Sequence, residues 1–255
     1  MIVTNYWNCA WRSLTKKKGF SVVNIVGLAI GMAALLILTY VAFEYSYDDM
    51  HSRQDRIFRV EARFYENGEL TDDWASSSAG YATAMKQNMS AVEDYTRVGS
   101  QYYPEQVVKY NELLCRETGI GYAEANFFDF FDFKLLKGNK ESCLDGPNKV
   151  VITERIARKY FKGADPIGKI LIFRSNIGEE ACEVTGIMED MPINTHIRYN
   201  LLISYKTLPK WMDEYWYRHE VYSYVLLKSA NLKTQVEEDF PVMAEKYKTE
   251  EALKN

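Results

Sequence analysis

The chain has 255 residues, 47% of them apolar and 26% charged, with a formal net charge of −4. Those fractions belong to a globular protein able to bury one or two cores, and no low-complexity segment interrupts them. The acidic balance excludes a nucleic-acid surface by charge, so no nucleic acid is expected as a partner.

In chain order, residues 3–17 read as an amphipathic helix. Val3, Trp7, Ala10, Trp11 and Leu14 fall on one side, and Asn5, Asn8, Arg12 and Ser13 on the other. Two Trp on the apolar face and a basic end suit a helix lying in a membrane interface. Trp7, Trp11, Arg12, Lys16, Lys17 and Lys18 are therefore candidate interfacial anchors. The alternative is a plain extension of the helix that follows.

From Gly19 to Phe43, 25 consecutive residues carry no charge. As a helix at about 1.5 Å per residue they reach roughly 37 Å. That is enough to cross a hydrocarbon core of about 30 Å with some tilt. A cleaved signal peptide fits poorly, because its apolar run is only about 7–15 residues. The run here leads into Glu44-Tyr45-Ser46-Tyr47 with no Ala-x-Ala site. Gly27 and Gly31 form Gly-x-x-x-Gly, a spacing that lets a second helix approach closely.

Arg12, Lys16, Lys17 and Lys18 precede the run, whereas Glu44, Asp48 and Asp49 follow it. Basic flanks stay in the cytoplasm, so the N-terminus is expected inside and residues from about 46 onward outside. Four of the 31 basic and one of the 35 acidic residues lie before residue 46, which leaves a net charge of −7 beyond it. Cys9 falls on the inner side. Cys115, Cys143 and Cys182 fall outside, an odd number that makes no disulfide framework.

Beyond the span, Phe58, Val60, Ala62 and Phe64 alternate with Arg59, Glu61 and Arg63, which predicts one strand over 58–64. Asn67-Gly68 predicts a hairpin turn. A helix is expected over 79–90, a strand over 92–99, and several short strands from about 104 to 137. A strand over 148–152 precedes a helix capped by Thr153 and ended by Gly163. Strands are expected near 169–173, 181–188 and 197–204, the last with Ile197, Tyr199, Leu201 and Ile203 on one face. A helix near 207–216, a strand over 221–227 and a helical segment from about 232 follow. Pro241 is expected to break or kink that segment. The class is α+β.

Chemistry is hard to find in this pattern. Gly163-Ala164-Asp165-Pro166-Ile167-Gly168-Lys169 resembles a phosphate-binding loop, but Ile170 stands where Ser or Thr is needed, and the loop follows a helix and enters a strand. His51, His196 and His219 have no metal-ligand spacing, and no Ser/His/Asp set can be picked out. No catalytic residue, cofactor site or metal site is assigned. Trp211, Tyr215, Trp216 and Tyr217 form an aromatic cluster, more in keeping with core packing than with a contact surface.

Several segments carry a family resemblance. The opening has Ala10-Trp11-Arg12-Ser13-Leu14, Lys16-Lys17-Lys18-Gly19-Phe20-Ser21 and Asn24-Ile25-Val26-Gly27-Leu28-Ala29-Ile30-Gly31-Met32. Tyr47-Asp48 is followed by Asp55-Arg56-Ile57-Phe58-Arg59-Val60, and later by Val151-Ile152-Thr153-Glu154 and Ala164-Asp165-Pro166-Ile167-Gly168-Lys169. Val184-Thr185-Gly186-Ile187-Met188-Glu189-Asp190-Met191-Pro192 leads to Asn194-Thr195-His196. Together these resemble the MacB/FtsX-like ABC transporter permeases of Bacteroidetes type.

The resemblance implies an α+β periplasmic domain of two lobes, preceded by one N-terminal transmembrane helix, in an inner-membrane protein. The implied layout is a cytoplasmic amphipathic segment over 1–18, a transmembrane helix over 19–43 and a MacB-like periplasmic core over 46–255. The distal lobe is expected at about 102–205. The implied partners are a separate cytoplasmic ABC ATPase, a second permease in a homodimer or heterodimer, and the lipid bilayer. The implied work is relaying ATPase-driven motion to the periplasm for export or for lipoprotein or peptide handling, with no enzyme activity in this chain. The family's later spanning helices are absent from these 255 residues, so the core is expected to be incomplete at its C-terminal end, with an open strand edge. The rival reading is a single-pass receptor with a periplasmic ligand-binding domain.

Overall fold

The computed structural model describes residues 2–99, 105–175, 178–213, 216 and 218–252. They fall into two units, Met1–Asp49 and Met50–Asn255.

The first unit is two helices, α1 (Ile2–Lys16) and α2 (Lys18–Tyr45). Lys17 between them has φ −110° and ψ 59°, outside the helical region, so α1 is a separate helix rather than an extension of α2. The Ser21 hydroxyl reaches back across the break and donates to the Leu14 carbonyl at 2.9 Å. Ser21 is the one buried side chain of α2 among the described residues. An 18-residue window of α2 has a mean hydropathy of 2.4 with none of it buried.

The second unit begins with β1 (Ile57–Val60), β2 (Ala62–Glu66), β3 (Glu69–Trp74), β4 (Ser77–Ser78), α3 (Ala79–Asn88) and β5 (Val92–Gly99). Next come β6 (Glu105–Tyr110), β7 (Leu113–Thr118), β8 (Ile120–Ala123), α4 (Phe127–Phe130), β9 (Leu135–Lys137), β10 (Lys149–Thr153) and α5 (Glu154–Phe161). The last elements are β11 (Ile170–Ser175), β12 (Gly178–Met188), β13 (Leu201–Ser204), β14 (His219–Leu227) and α6 (Lys233–Ala252).

Twelve of these strands form one sheet in the order β1-β14-β5-β8-β13-β10-β12-β11-β6-β7, with β4 on β14 and β9 on β12. The β10–β12 and β13–β8 pairs are parallel and the others antiparallel. Three cores form on this sheet. One packs Ile156, Tyr160 and Phe161 of α5 on Val150, Ile152 and Ile203. A second gathers Phe127, Phe128, Phe130, Phe131 and Phe133 against Val151, Leu202 and Leu226. A third sets α3 against α6 through Tyr81, Met85, Trp216 and Met243. Each such aromatic, fully removed from water, contributes about 1.5–3 kcal/mol.

The Thr153 cap is observed, its hydroxyl accepting from the Ile156 amide at 3.4 Å. Lys162 then turns left-handed at φ 49°, followed by Gly163 at φ 95°, and the chain leaves α5 for β11. The glycine-rich loop that resembles a phosphate site is thus a helix-to-strand turn. Asn67 and Gly68 both have positive φ, as a tight hairpin turn requires.

The structure departs from or adds to the local pattern at several places. The strand expected over 58–64 splits at Glu61. Val60 pairs with Ser223 of β14, but the next stretch of that edge, at Val221, is taken by Ser77 of β4. The chain therefore turns away and makes β2 and β3 a separate two-stranded hairpin, exposed along all of β3. The strand expected over 197–204 starts only at Leu201, and Ile197 joins the phenylalanine core rather than that of Leu201 and Ile203. In the segment before that strand, Arg198 folds back on the carbonyls of Thr195 and Ile193. The 207–216 region makes short 3-10 turns, Tyr205–Thr207 and Lys210–Asp213, with no α-helix among its described residues. The 104–137 stretch holds its expected short strands, β6 to β9, and the helical turn α4 besides, where the phenylalanines bury as a cluster. Finally, the break allowed for at Pro241 does not occur: α6 is one helix with Pro241 inside it. Of the aromatic cluster, Trp216 is buried and Trp211 is 51% exposed, while Tyr215 and Tyr217 lie outside the described residues.

Candidate functional site

Two regions carry the candidate function, and each is described within its own unit. On α1, Trp7 and Trp11 are 70% and 61% exposed, with Leu14 exposed beside them on the same helical face. Arg12 is exposed, Lys16 ends α1, Lys17 forms the break and Lys18 opens α2. On α2, Gly27 and Gly31 lie about one turn apart, and a Cβ built on either meets nothing within 4 Å. The glycines thus offer an open, shallow groove along the apolar helix.

In the second unit, a cleft of about 310 Å³ opens on the face of the sheet that carries the phenylalanine core. Register builds its floor. Arg59 of β1 pairs with Tyr224 of β14, and Tyr222 pairs with Val98 of β5, so these four side chains project from one face. Val98 in turn pairs with Ala123 of β8, two residues after Gly121. The Tyr199 ring lies against Gly121 so closely that a Cβ there would come within 2.6 Å of it.

The wall is the segment before β13. His196 Nε2 and the Tyr224 hydroxyl are 2.8 Å apart. The Thr195 hydroxyl accepts from the Ile197 amide at 3.2 Å, and Arg198 Nε donates to the Thr195 carbonyl at 3.0 Å. These bonds hold the wall in one shape.

The charge of the cleft is one-sided. Arg59 and Arg198 line it and, among the described residues, no carboxylate does. Arg59 Nη2 donates to Glu61 Oε1 at 2.7 Å. Burial works to lower Arg59, but the Glu61 bond and the adjacent Tyr224, Glu61 and Tyr222 outweigh it and hold the guanidinium above its ordinary value.

A second polar group lies on the α5 side. The Tyr160 hydroxyl donates to buried Glu117 at 2.7 Å, and Lys159 Nζ donates to the same oxygen at 2.5 Å. The Tyr122 hydroxyl donates to Glu180 at 3.0 Å. Burial and Glu117 push the Tyr160 phenol up, and burial pushes the Glu180 carboxyl up. Cys143 and Cys182 are buried, and burial pushes their thiols up to about 11 and about 12, which leaves them unreactive near neutrality. Tyr160, Lys159 and Tyr122 tie their elements to Glu117 and Glu180, and none of these groups lines the cleft.

Sequence reasoning singles out the membrane residues and leaves the cleft unseen. Its signal was present but thin: Tyr222 and Tyr224 share the period-two spacing of a strand, and His196 follows the Asn194-Thr195 turn.

The profile of the MacB-like periplasmic core domain matches residues 21–241. Among solved structures, a domain of a putative permease from Porphyromonas gingivalis superposes with a TM-score of 0.66 at 24% identity, covering 77% of this chain and 83% of that one. The periplasmic region of MacB from Actinobacillus actinomycetemcomitans superposes with a TM-score of 0.50 at 16% identity, covering 66% and 75%. These likenesses establish the fold. No curated protein sequence matches the chain. With its family match running from inside α2 to inside α6, the chain belongs to the MacB-like family and carries the periplasmic core domain of a MacB/FtsX-like ABC transporter permease.

Proposed function

We propose that this chain relays ATP-driven motion from the cytoplasm to the outer face of the inner membrane. In this reading α2 is the span, the basic end of α1 stays inside, and residues from about 46 onward lie in the periplasm. A separate ABC ATPase supplies the motion, and a second permease chain completes the assembly. Export, or lipoprotein or peptide handling, is the work done outside.

The observation that carries the reading is the continuity of the family match from residue 21 to residue 241, which takes in most of the apolar helix as well as the domain that follows it. The charge asymmetry about α2 supports the orientation. Exposed Trp7 and Trp11 with Arg12, Lys16, Lys17 and Lys18 suit an interfacial anchor, and the groove at Gly27 and Gly31 suits a close helix contact. The outer domain is read as two lobes sharing one sheet, with the distal lobe at about 102–205.

Reporter fusions test the orientation. A periplasm-active phosphatase joined after Asn255 is expected to be active, and one joined before Asn5 inactive. The reverse pattern would refute the reading.

A further inference from the structure

We propose that the cleft between β1, β14 and the Thr195–Tyr199 wall binds a small organic oxyanion, a carboxylate or phosphate carried on a flat apolar body. The site stands on its own geometry and does not depend on the permease reading.

A cleft lined by two arginines and, among the described residues, by no carboxylate favours an anion. Arg59 is the group able to take it. Its side chain is one-third exposed, and its bond to Glu61 uses one of five N–H donors, with no other hydrogen bond from Arg59 among the described residues. A planar guanidinium with free donors matches the two oxygens of a carboxylate or phosphate. Glu61 is not part of the lining and holds the guanidinium in place. The Tyr222 hydroxyl shares this face of the sheet and makes no hydrogen bond among the described residues, so it is a second donor for the same oxyanion.

The apolar half follows from the rest of the lining. Val98 and Ile197 are buried, and the Tyr199 ring lies against Gly121. An aromatic or short acyl body stacks there, at the lower end of the size range for small-molecule sites. The wall is fixed by its own hydrogen bonds, so binding orders little that is loose.

The full chain in lipid nanodiscs tests this by calorimetry and ligand-observed NMR, with empty nanodiscs as the blank. The probes are 3-phenylpropionate, phenyl phosphate and the neutral 3-phenylpropionamide. At least one of the two anions is expected to bind saturably, about tenfold or more tighter than the amide, as the loss of a charge-assisted hydrogen bond requires. Which anion binds tells a carboxylate from a phosphate source. Arg59→Gln is expected to weaken the anion by a similar factor and leave the amide unchanged, whereas Arg59→Lys retains most of the anion's preference. Far-UV circular dichroism verifies that both variants fold. The proposal is overturned if neither anion binds saturably, if the amide binds as tightly as both anions, or if folded Arg59→Gln binds the anion unchanged.

Discussion

The indole of Trp216 lies flat on the ring of Tyr247, with 4.6 Å between centroids and 3° between planes. This contact is where α6 meets the segment leading into β14. Trp216 also closes on Gly80 of α3, where an added Cβ would come within 2.8 Å of the indole nitrogen. One buried ring therefore joins α3, α6 and the approach to β14. Trp216→Ala is expected to cost about 3–5 kcal/mol, and Tyr247→Ala about 0.5–1.5 kcal/mol beyond its lost area. Hydrogen exchange should show α6 opening in both variants while the α5 core keeps its protection. Unchanged exchange in α6 would mean that the stack holds nothing in place.

Two glycines of similar backbone separate crowding from strain. Gly138 has φ 102° and a Cβ there would sit 2.5 Å from the Thr185 carbonyl oxygen, a backbone atom that cannot step aside. Gly163 has φ 95° with nothing within 4 Å. Gly163→Ala should cost only the conformational term, about 1–2 kcal/mol. Gly138→Ala should cost clearly more, because β9 must also move away from β12. Urea denaturation of the two variants measures the difference, and equal midpoints would contradict it.

Glu180 gives a pH dependence of definite sign. Burial holds its carboxyl above the usual carboxylate range, against the opposing bond from Tyr122. The folded chain therefore holds this proton more tightly than the unfolded chain does. The group's contribution is most favourable below its unfolded pKa and is lost as pH rises through the folded value. Glu180→Gln keeps an acceptor for Tyr122 and removes the buried charge. Its melting temperature is expected to exceed that of the parent at about pH 7.5, with the gap closing near about pH 4, where both side chains are neutral. A gap that widens on acidification would reverse the assignment.

Within the membrane helix, replacing Gly27 and Gly31 together with Leu fills the groove and holds a neighbouring backbone away. A membrane two-hybrid assay should report weaker self-association or weaker association with the other permease helices. Association at the parental level would reduce the Gly-x-x-x-Gly spacing to coincidence.

Much of the architecture was legible because its signals are local. The uncharged run from Gly19 to Phe43 needs no partner to be read, and the Thr153 cap, the Asn67-Gly68 turn and β5 over 92–99 are short-range features. The failures share a cause in pairing at long range. Phe58 to Phe64 alternates as one strand does, yet β4 occupies the β14 edge that its second half would need. Ile197 alternates with Leu201 but lies before the strand begins and faces another core. The cleft draws on Arg59, Val98 and Tyr222, which strand register brings together, and on Tyr199 from the segment before β13. No window of the sequence holds them at once.

The central claim is that this domain works as part of an ATP-driven assembly. Tagging the protein at its native locus and purifying it from membranes, with and without ATP and vanadate, tests that most directly. The account predicts an ABC ATPase in near-stoichiometric amount, its ATP hydrolysis changed when α2 carries Gly27→Leu and Gly31→Leu. Recovery of the protein with no ATPase under either condition, or of an ATPase indifferent to changes in α2, would contradict it.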